Sequence, residues 1–162
     1  MKKSSSDHFS RRAFLKGSGA AATALATGSA AVAAESDGVE LVKGETTIRL
    51  NVNGQPRDVR VEPRTTLLEV LRSQLALTGA KPVSSDGTSG ASTVLIDGRP
   101  SMASTTLAVA VAGKAIETIE GLGGDGPDEV SRAFVAHGAQ QCGYCWPGFV
   151  VAVRAVLNKH TQ

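Results

Sequence analysis

The residues of this chain best suited to chemistry are two cysteines and a set of serines. Cys142 and Cys145, in the run Cys142-Gly143-Tyr144-Cys145, are the only thiols among 162 residues. A C-x-x-C pair can supply half of a four-thiolate metal site or act as a dithiol–disulfide couple. Upstream, Ser84, Ser89, Ser92 and Ser104 stand at the spacing S-x4-S-x2-S-x11-S in a stretch rich in glycine. Hydroxyls are hard, weakly acidic donors, poor ligands for soft metals but good partners for backbone groups and for one another. By composition alone the stretch is an ordinary surface loop.

The elements that hold these residues can be read from periodicity. Ile48, Leu50 and Val52 alternate with polar neighbours, and so do Val59 and Val61 after Asn53-Gly54. Two alternating runs about Asn-Gly predict a β-hairpin. Gln55-Pro56 is expected to lengthen its turn beyond two residues, and Pro63 to end the second strand. Thr66-Leu67-Leu68-Glu69 has the form of a capping box, with Val70, Leu71 and Leu75 at helical spacing behind it, predicting a helix of about ten residues. Residues 78–92 read as a loop, 93–96 as a strand, Asp97-Gly98 as a turn, and the chain returns as a strand near Met102. Residues 105–112 are ambiguous, and 115–119 look extended.

Gly121 to Pro127 reads as a linker. Beyond it Val130, Ala133, Phe134 and His137 share a helical face, with Asp128 and Glu129 suited to its N-terminus. His137 is expected to be a hydrogen-bonded core histidine. A second helix should begin near Pro147, carrying Phe149, Val150, Val153, Val156 and Leu157 on its apolar face. The C-x-x-C lies between these helices. Trp146, the only tryptophan, is expected either to fill space beside it or to meet another subunit.

The first 34 residues read as a targeting segment. Ser10-Arg11-Arg12-Ala13-Phe14-Leu15-Lys16 is a twin-arginine signature, followed by a mildly apolar run and a small-residue cleavage site at Ala31-Val32-Ala33-Ala34. Periplasmic location by the twin-arginine route is the expectation, with no membrane span once the signal is removed. The segment holds five basic residues and one acidic, leaving twelve basic against fourteen acidic, a formal charge of −2. The basicity belongs to the signal, and nucleic acid is not expected as a partner.

The runs L-T-G-A-K from Leu77, G-T-S-G-A-S-T-V-L-I-D-G from Gly87 and A-H-G-A-Q-Q-C-G-Y-C-W-P-G-F from Ala136 carry a family resemblance. The chain resembles the small [2Fe–2S] iron–sulfur subunit of the molybdenum hydroxylases, the xanthine dehydrogenase and aldehyde oxidoreductase family. The resemblance implies an α+β fold: a β-grasp, ferredoxin-like domain over residues 45–120, then a helical [2Fe–2S]-binding-type domain, shortened here, over 121–162. It also implies one cluster in each domain, carrying electrons from a large molybdopterin subunit to a flavin subunit or an outside acceptor. Gln141 would face the pterin, and Cys142 and Cys145 would be metal ligands.

Against that pattern Ser84, Ser89, Ser92 and Ser104 occupy positions where the family carries cysteine. With cysteine there, the first three would have the plant-type ferredoxin spacing. The later C-x-C pair is not in the sequence, and Trp146 stands where threonine is usual. These four former ligand positions are therefore expected to be vacant. Without a cluster the loop must order itself through backbone and hydroxyl hydrogen bonds. The expected role is a degenerate, structural small subunit, at most a non-catalytic part of an oxidoreductase.

Two alternatives stay open. One is a working [2Fe–2S] electron-transfer subunit with unconventional or intermolecular ligation, two chains pairing their C-x-x-C motifs. The other is a periplasmic thiol–disulfide protein. An inert pair of cysteines, inherited without a role, is also consistent with the sequence.

Overall fold

The computed structural model describes residues 43–124 and 126–160, so the expected signal segment and the last two residues lie outside the described residues. Five strands form one mixed sheet: β1 (Thr46–Val52), β2 (Gln55–Val61), β3 (Thr93–Ile96), β4 (Arg99–Met102) and β5 (Ala115–Glu117), in the order β2-β1-β5-β3-β4. Only the β1–β5 pairing is parallel. The helical elements are α1 (Leu67–Glu69), continued by a π-helical turn over Val70–Gln74, α2 (Glu129–Ala136) and α3 (Trp146–His160), with short 3-10 helices at Ala108–Val111 and Ile119–Gly121. This is the α+β, β-grasp arrangement.

The hairpin is tighter than Gln55-Pro56 leads one to expect. Val52 pairs with Gln55, leaving Asn53 and Gly54 as a two-residue turn, with φ of 52° and 75°. Both residues in the left-handed region is what a type I′ turn needs. Pro56 lies within β2, opposite Asn51, where an edge strand tolerates its missing N–H.

Helix α1 begins as the capping box predicts: Thr66 Oγ1 accepts the Glu69 N–H at 3.2 Å. The first-turn amides of Leu67 and Leu68 donate to the carbonyls of Thr106 (2.7 Å) and Ala103 (3.0 Å). These N–H groups have no partner inside a helix, so the segment after β4 satisfies them and is pinned in return. The helix is shorter than expected and ends wide. Leu75 N–H reaches back to the Val70 carbonyl and Leu77 N–H to that of Leu71, with Ala76 turning the chain between them at φ 56°.

Leu67, Leu68, Val70 and Leu71 bury against Leu50, Val52, Val59, Val61, Val94, Ile96 and Ile116. Each such side chain removed from water contributes about 1.5–3 kcal/mol before the entropy of ordering is counted. Strand β3 serves two cores. Val94 and Ile96 face this one, while Leu95, on the opposite face, joins Leu122, Val130, Val150, Val151 and Ala155. That is why Thr93-Val94-Leu95-Ile96 reads as a continuous apolar run rather than an alternating one.

Helix α3 lies on β3 through Gly148, Val151 and Ala155, spaced i, i+3 and i+7. A methyl at Gly148 would overlap the Gly90 carbonyl oxygen and lie 3.0 Å from Ala91 Cα. The apolar face predicted for this helix is therefore divided. Val150 and Val151 turn inward, while Phe149, Val153 and Val156 are exposed, because the close approach at Gly148 decides which side meets the sheet.

His137 is not a core residue. It is the exposed C-cap of α2, beyond which Ala139 N–H bonds the Phe134 carbonyl (2.9 Å) and Gly138 N–H that of Val135 (3.2 Å). This is a Schellman ending, with Gly138 at φ 57°, and it turns the chain off the apolar face one residue early. Asp128 caps the other end, accepting the Val130 N–H at 2.8 Å, and forms a mostly buried ion pair with Arg154 of α3, which Glu129 also meets at 3.4 Å. Among the described residues no helix is long and apolar enough to cross a membrane.

Candidate functional site

The loop between α1 and β3 carries three of the four serines, and the turn after β4 carries the fourth. The fold joins them in two pairs. Ser84 Oγ donates to Ser89 Oγ at 3.1 Å, and Ser89 N–H returns a bond to Ser84 Oγ at 3.2 Å. Ser92 Oγ donates to Ser104 Oγ at 2.9 Å, and Ser104 N–H returns a bond to Ser92 Oγ at 3.3 Å. The second pair is buried, and the first is half-buried. Ser84 and Ser104 line one groove of about 270 Å³ with Thr66, Leu68, Pro82, Val83 and Ser85, which connects the two pairs.

Each position is set by its neighbours. Ser104 is held because Ala103 and Thr106 on either side of it cap α1. Ser92 is held by its carbonyl, which accepts the Ala103 N–H at 3.0 Å. Lys81 N–H donates to the Ala91 carbonyl at 3.0 Å, closing the base of the loop. At its tip Asp86 Oδ1 accepts from Thr88 N–H (3.2 Å) and Thr88 Oγ1 (2.9 Å). The Thr88 backbone bond first, and then its hydroxyl, hold the Asp86 carboxyl below its ordinary value. Gly87 adopts φ 80° and presses on the Met102 sulfur, where a side chain would collide.

The donor set here does not suit an iron–sulfur cluster. Clusters are held by thiolates, which are soft and bond iron covalently. Here four neutral hydroxyls already donate to and accept from one another. Ionising four of them beside sulfide-rich iron has no compensating charge, because no cation among the described residues lines this groove.

Cys142 and Cys145 are both free and exposed. Gly143 between them adopts φ 76°, and its carbonyl accepts the Trp146 N–H at 3.3 Å, while that of Cys145 accepts the Phe149 N–H at 3.3 Å. The motif thus sits on the N-terminus of α3, with a stretch of irregular backbone separating it from α2. Tyr144 lies under the Lys81 ammonium, 5.8 Å from its ring centroid, and Lys81 Nζ also donates to the Thr78 carbonyl at 2.7 Å. The C-x-x-C turn is therefore tied to the strand-side loop. Trp146 turns inward, its ring 6.2 Å from that of Phe134, with Nε1 buried and unpaired. Gln141 is exposed beside Cys142. The two thiols suit a soft metal by type but supply half of a four-thiolate set. Among the described residues no cluster of three or more His, Cys, Asp or Glu side chains could hold a metal.

A β-grasp sheet with a helix laid on it, entered through a C-x-x-C turn, is a ferredoxin-like architecture. A family model described as a [2Fe-2S] binding domain matches residues 118–162. The nicotinate dehydrogenase small FeS subunit of Eubacterium barkeri is 40% identical over 115 residues, covering 70% of this chain and 73% of its own. The nicotine 6-hydroxylase small subunit of Paenarthrobacter nicotinovorans is 38% identical over 111 residues, covering 68% and 67%. The crystal structure of quinoline 2-oxidoreductase from Pseudomonas putida 86 superposes with a TM-score of 0.68 at 40% identity, covering 71% of this chain and 72% of that one. The chain belongs to the family of small [2Fe–2S] iron–sulfur subunits of the molybdenum hydroxylases, the relatives of xanthine dehydrogenase and aldehyde oxidoreductase.

Proposed function

We propose that this chain is an exported small subunit of a molybdenum hydroxylase complex whose β-grasp cluster position has become a hydroxyl clasp and carries no electrons. The observation that supports it is the pairing of Ser92 with Ser104 and of Ser84 with Ser89, at 2.9 and 3.1 Å. Those hydroxyls tie the loop to itself and to the turn after β4 by hydrogen bonds. Its partner is a large molybdopterin subunit, with Gln141 on the side that faces the pterin, and a flavin subunit or outside acceptor beyond. The Arg11-Arg12 signature supports export to the periplasm by the twin-arginine route. The exposed stripe of Phe149, Val153 and Val156 supports a docked state, since apolar side chains aligned on one helix face favour a covering surface.

Iron and acid-labile sulfide analysis of the full chain, with EPR of the dithionite-reduced protein, tests the clasp. The chain with Ser84, Ser89, Ser92 and Ser104 all changed to cysteine is the comparison. The natural loop should bind no iron, and the quadruple variant should gain one two-iron cluster with its visible absorbance. Two irons per natural chain, retained after Cys142→Ser and Cys145→Ser, would refute the clasp. Export is tested by fractionation, with Arg11→Lys/Arg12→Lys expected to strand the precursor in the cytoplasm.

A further inference from the structure

Helix α3 buries one side against β3 and leaves another uncovered. Phe149, Val153 and Val156, spaced i, i+4 and i+7, are 54%, 36% and 56% exposed. Two grooves flank this stripe on successive turns of the helix. The first lies between Phe149 and Ala152 and the tip of the serine loop at Gly87, Thr88 and Gly90. The second lies between Val156 and Lys159 and the β3–β4 turn at Asp97, Arg99 and Pro100. The two ends differ in charge. Beside the first groove stands the exposed carboxylate of Asp86, bonded to Thr88. In the second, Arg99 and Lys159 outnumber Asp97, whose carboxylate already accepts the Ala115 N–H at 3.0 Å. Among the described residues none of Asp86, Arg99 and Lys159 is in an ion pair.

A surface with an apolar middle and opposite charges at its two ends is complementary to itself after a half-turn. We infer that a second copy of this chain covers the stripe, the two α3 helices packing antiparallel about a two-fold axis near Val153. Val153 then meets its counterpart, Phe149 of each copy meets Val156 of the other, and each Asp86 faces the other copy's Arg99 and Lys159. A parallel pair would bring like ends together, because α3 has no acidic residue to set against Lys159 and His160. The 15 residues of α3 span about 22 Å, so the contact is modest. A dissociation constant on the order of 10 μM is expected. The inference goes beyond the subunit reading and does not rest on the hydroxyl clasp. Gln141, on the side assigned to the pterin, lies ahead of α3 and outside the stripe.

Sedimentation velocity of the full chain over about 1–300 μM tests it, a range that brackets the expected constant. The natural chain should pass from monomer to dimer. Val153→Asp sets two carboxylates on the axis and should weaken the dimer about 100-fold or more, leaving the urea midpoint of the dilute chain unchanged. Arg99→Glu/Lys159→Glu should weaken it about 10-fold. Orientation is read by mild oxidation and peptide mapping: Val153→Cys should link to itself through residue 153, and Phe149→Cys should not link through residue 149. A chain monomeric throughout, a dimer untouched by Val153→Asp, or self-linkage through residue 149 would each overturn the inference. So would a chain that is monomeric by itself and loses a co-purifying molybdopterin subunit on Val153→Asp, a result that leaves the subunit reading standing. A dimer that behaves as described but never meets such a subunit would sink that reading and support this one.

Discussion

The buried Ser92–Ser104 pair gives the sharpest test of whether the loop is held by hydroxyls. Ser92 Oγ makes two bonds to one neighbour, donating to Ser104 Oγ and accepting the Ser104 N–H. Ser92→Ala removes both and leaves that N–H buried without a partner, in a site where Ser92 is 3% and Ser104 9% exposed. A buried donor left unsatisfied costs about 1–3 kcal/mol, against about 0.5–1.5 for a typical hydrogen bond lost with water replacing it. Ser92→Ala should therefore cost about 2 kcal/mol. Ser104→Ala keeps the backbone bond and should cost about 1 kcal/mol, the lower part of the same range. In the double variant only the amide is orphaned. Its cost should fall below the sum of the singles by about 1 kcal/mol, as expected for residues sharing an interaction. Urea unfolding followed by Trp146 fluorescence, fitted with a common m-value, measures all three. Costs that add to within about 0.3 kcal/mol, or single substitutions each below about 0.5 kcal/mol, would refute the reasoning, since distant surface sites behave that way.

Three further outcomes follow from the geometry. Gly148→Ala should cost about 1–3 kcal/mol in urea unfolding through overpacking, because the backbone at Gly90 and Ala91 must shift to admit a methyl. Asp128→Ala should cost about 2–3 kcal/mol in the same assay, because it removes the α2 cap and one of the two carboxylates on Arg154, leaving Glu129 Oε1 at 3.4 Å. Asp86, held below its ordinary 3.8 by Thr88, binds its proton at lower pH in the folded chain than in the unfolded one. Its contribution to loop order is therefore complete above the usual carboxylate range and is lost only as pH falls below it. Thr88 amide exchange should stay protected at pH about 5 and lose protection at pH near 2, and Asp86→Ala should lose it at both.

Much of this fold is legible in local chemistry. Asn53-Gly54, the Thr66 cap and the unbroken apolar run of β3 each carry their own signal, and the structure uses all three. Pro56 misleads because a proline in a strand is acceptable only at a sheet edge, and edge position is a property of strand order, which no local window holds. His137 misleads when apolar spacing is followed up to Gly138, although that glycine is itself the signal for a Schellman ending. The division of α3 turns on Gly148, whose role emerges only when the Gly90 carbonyl is placed against it. For the serines, spacing indicates that four side chains belong together. It does not indicate that Ser84 takes Ser89 and Ser92 takes Ser104, because that choice depends on Ala103 and Thr106 being drawn to the start of α1.

The two outer strands bear on how other molecules can approach. Strands β2 and β4 are the sheet's margins, and each includes a proline, Pro56 and Pro100, and an exposed arginine, Arg57 and Arg99. An incoming strand needs an uninterrupted ladder of amides, and neither margin offers one. Strand addition at β2 or β4 is thus disfavoured. Assembly then rests on side chains, so interface specificity is written in residue identity and not in shared backbone hydrogen bonds.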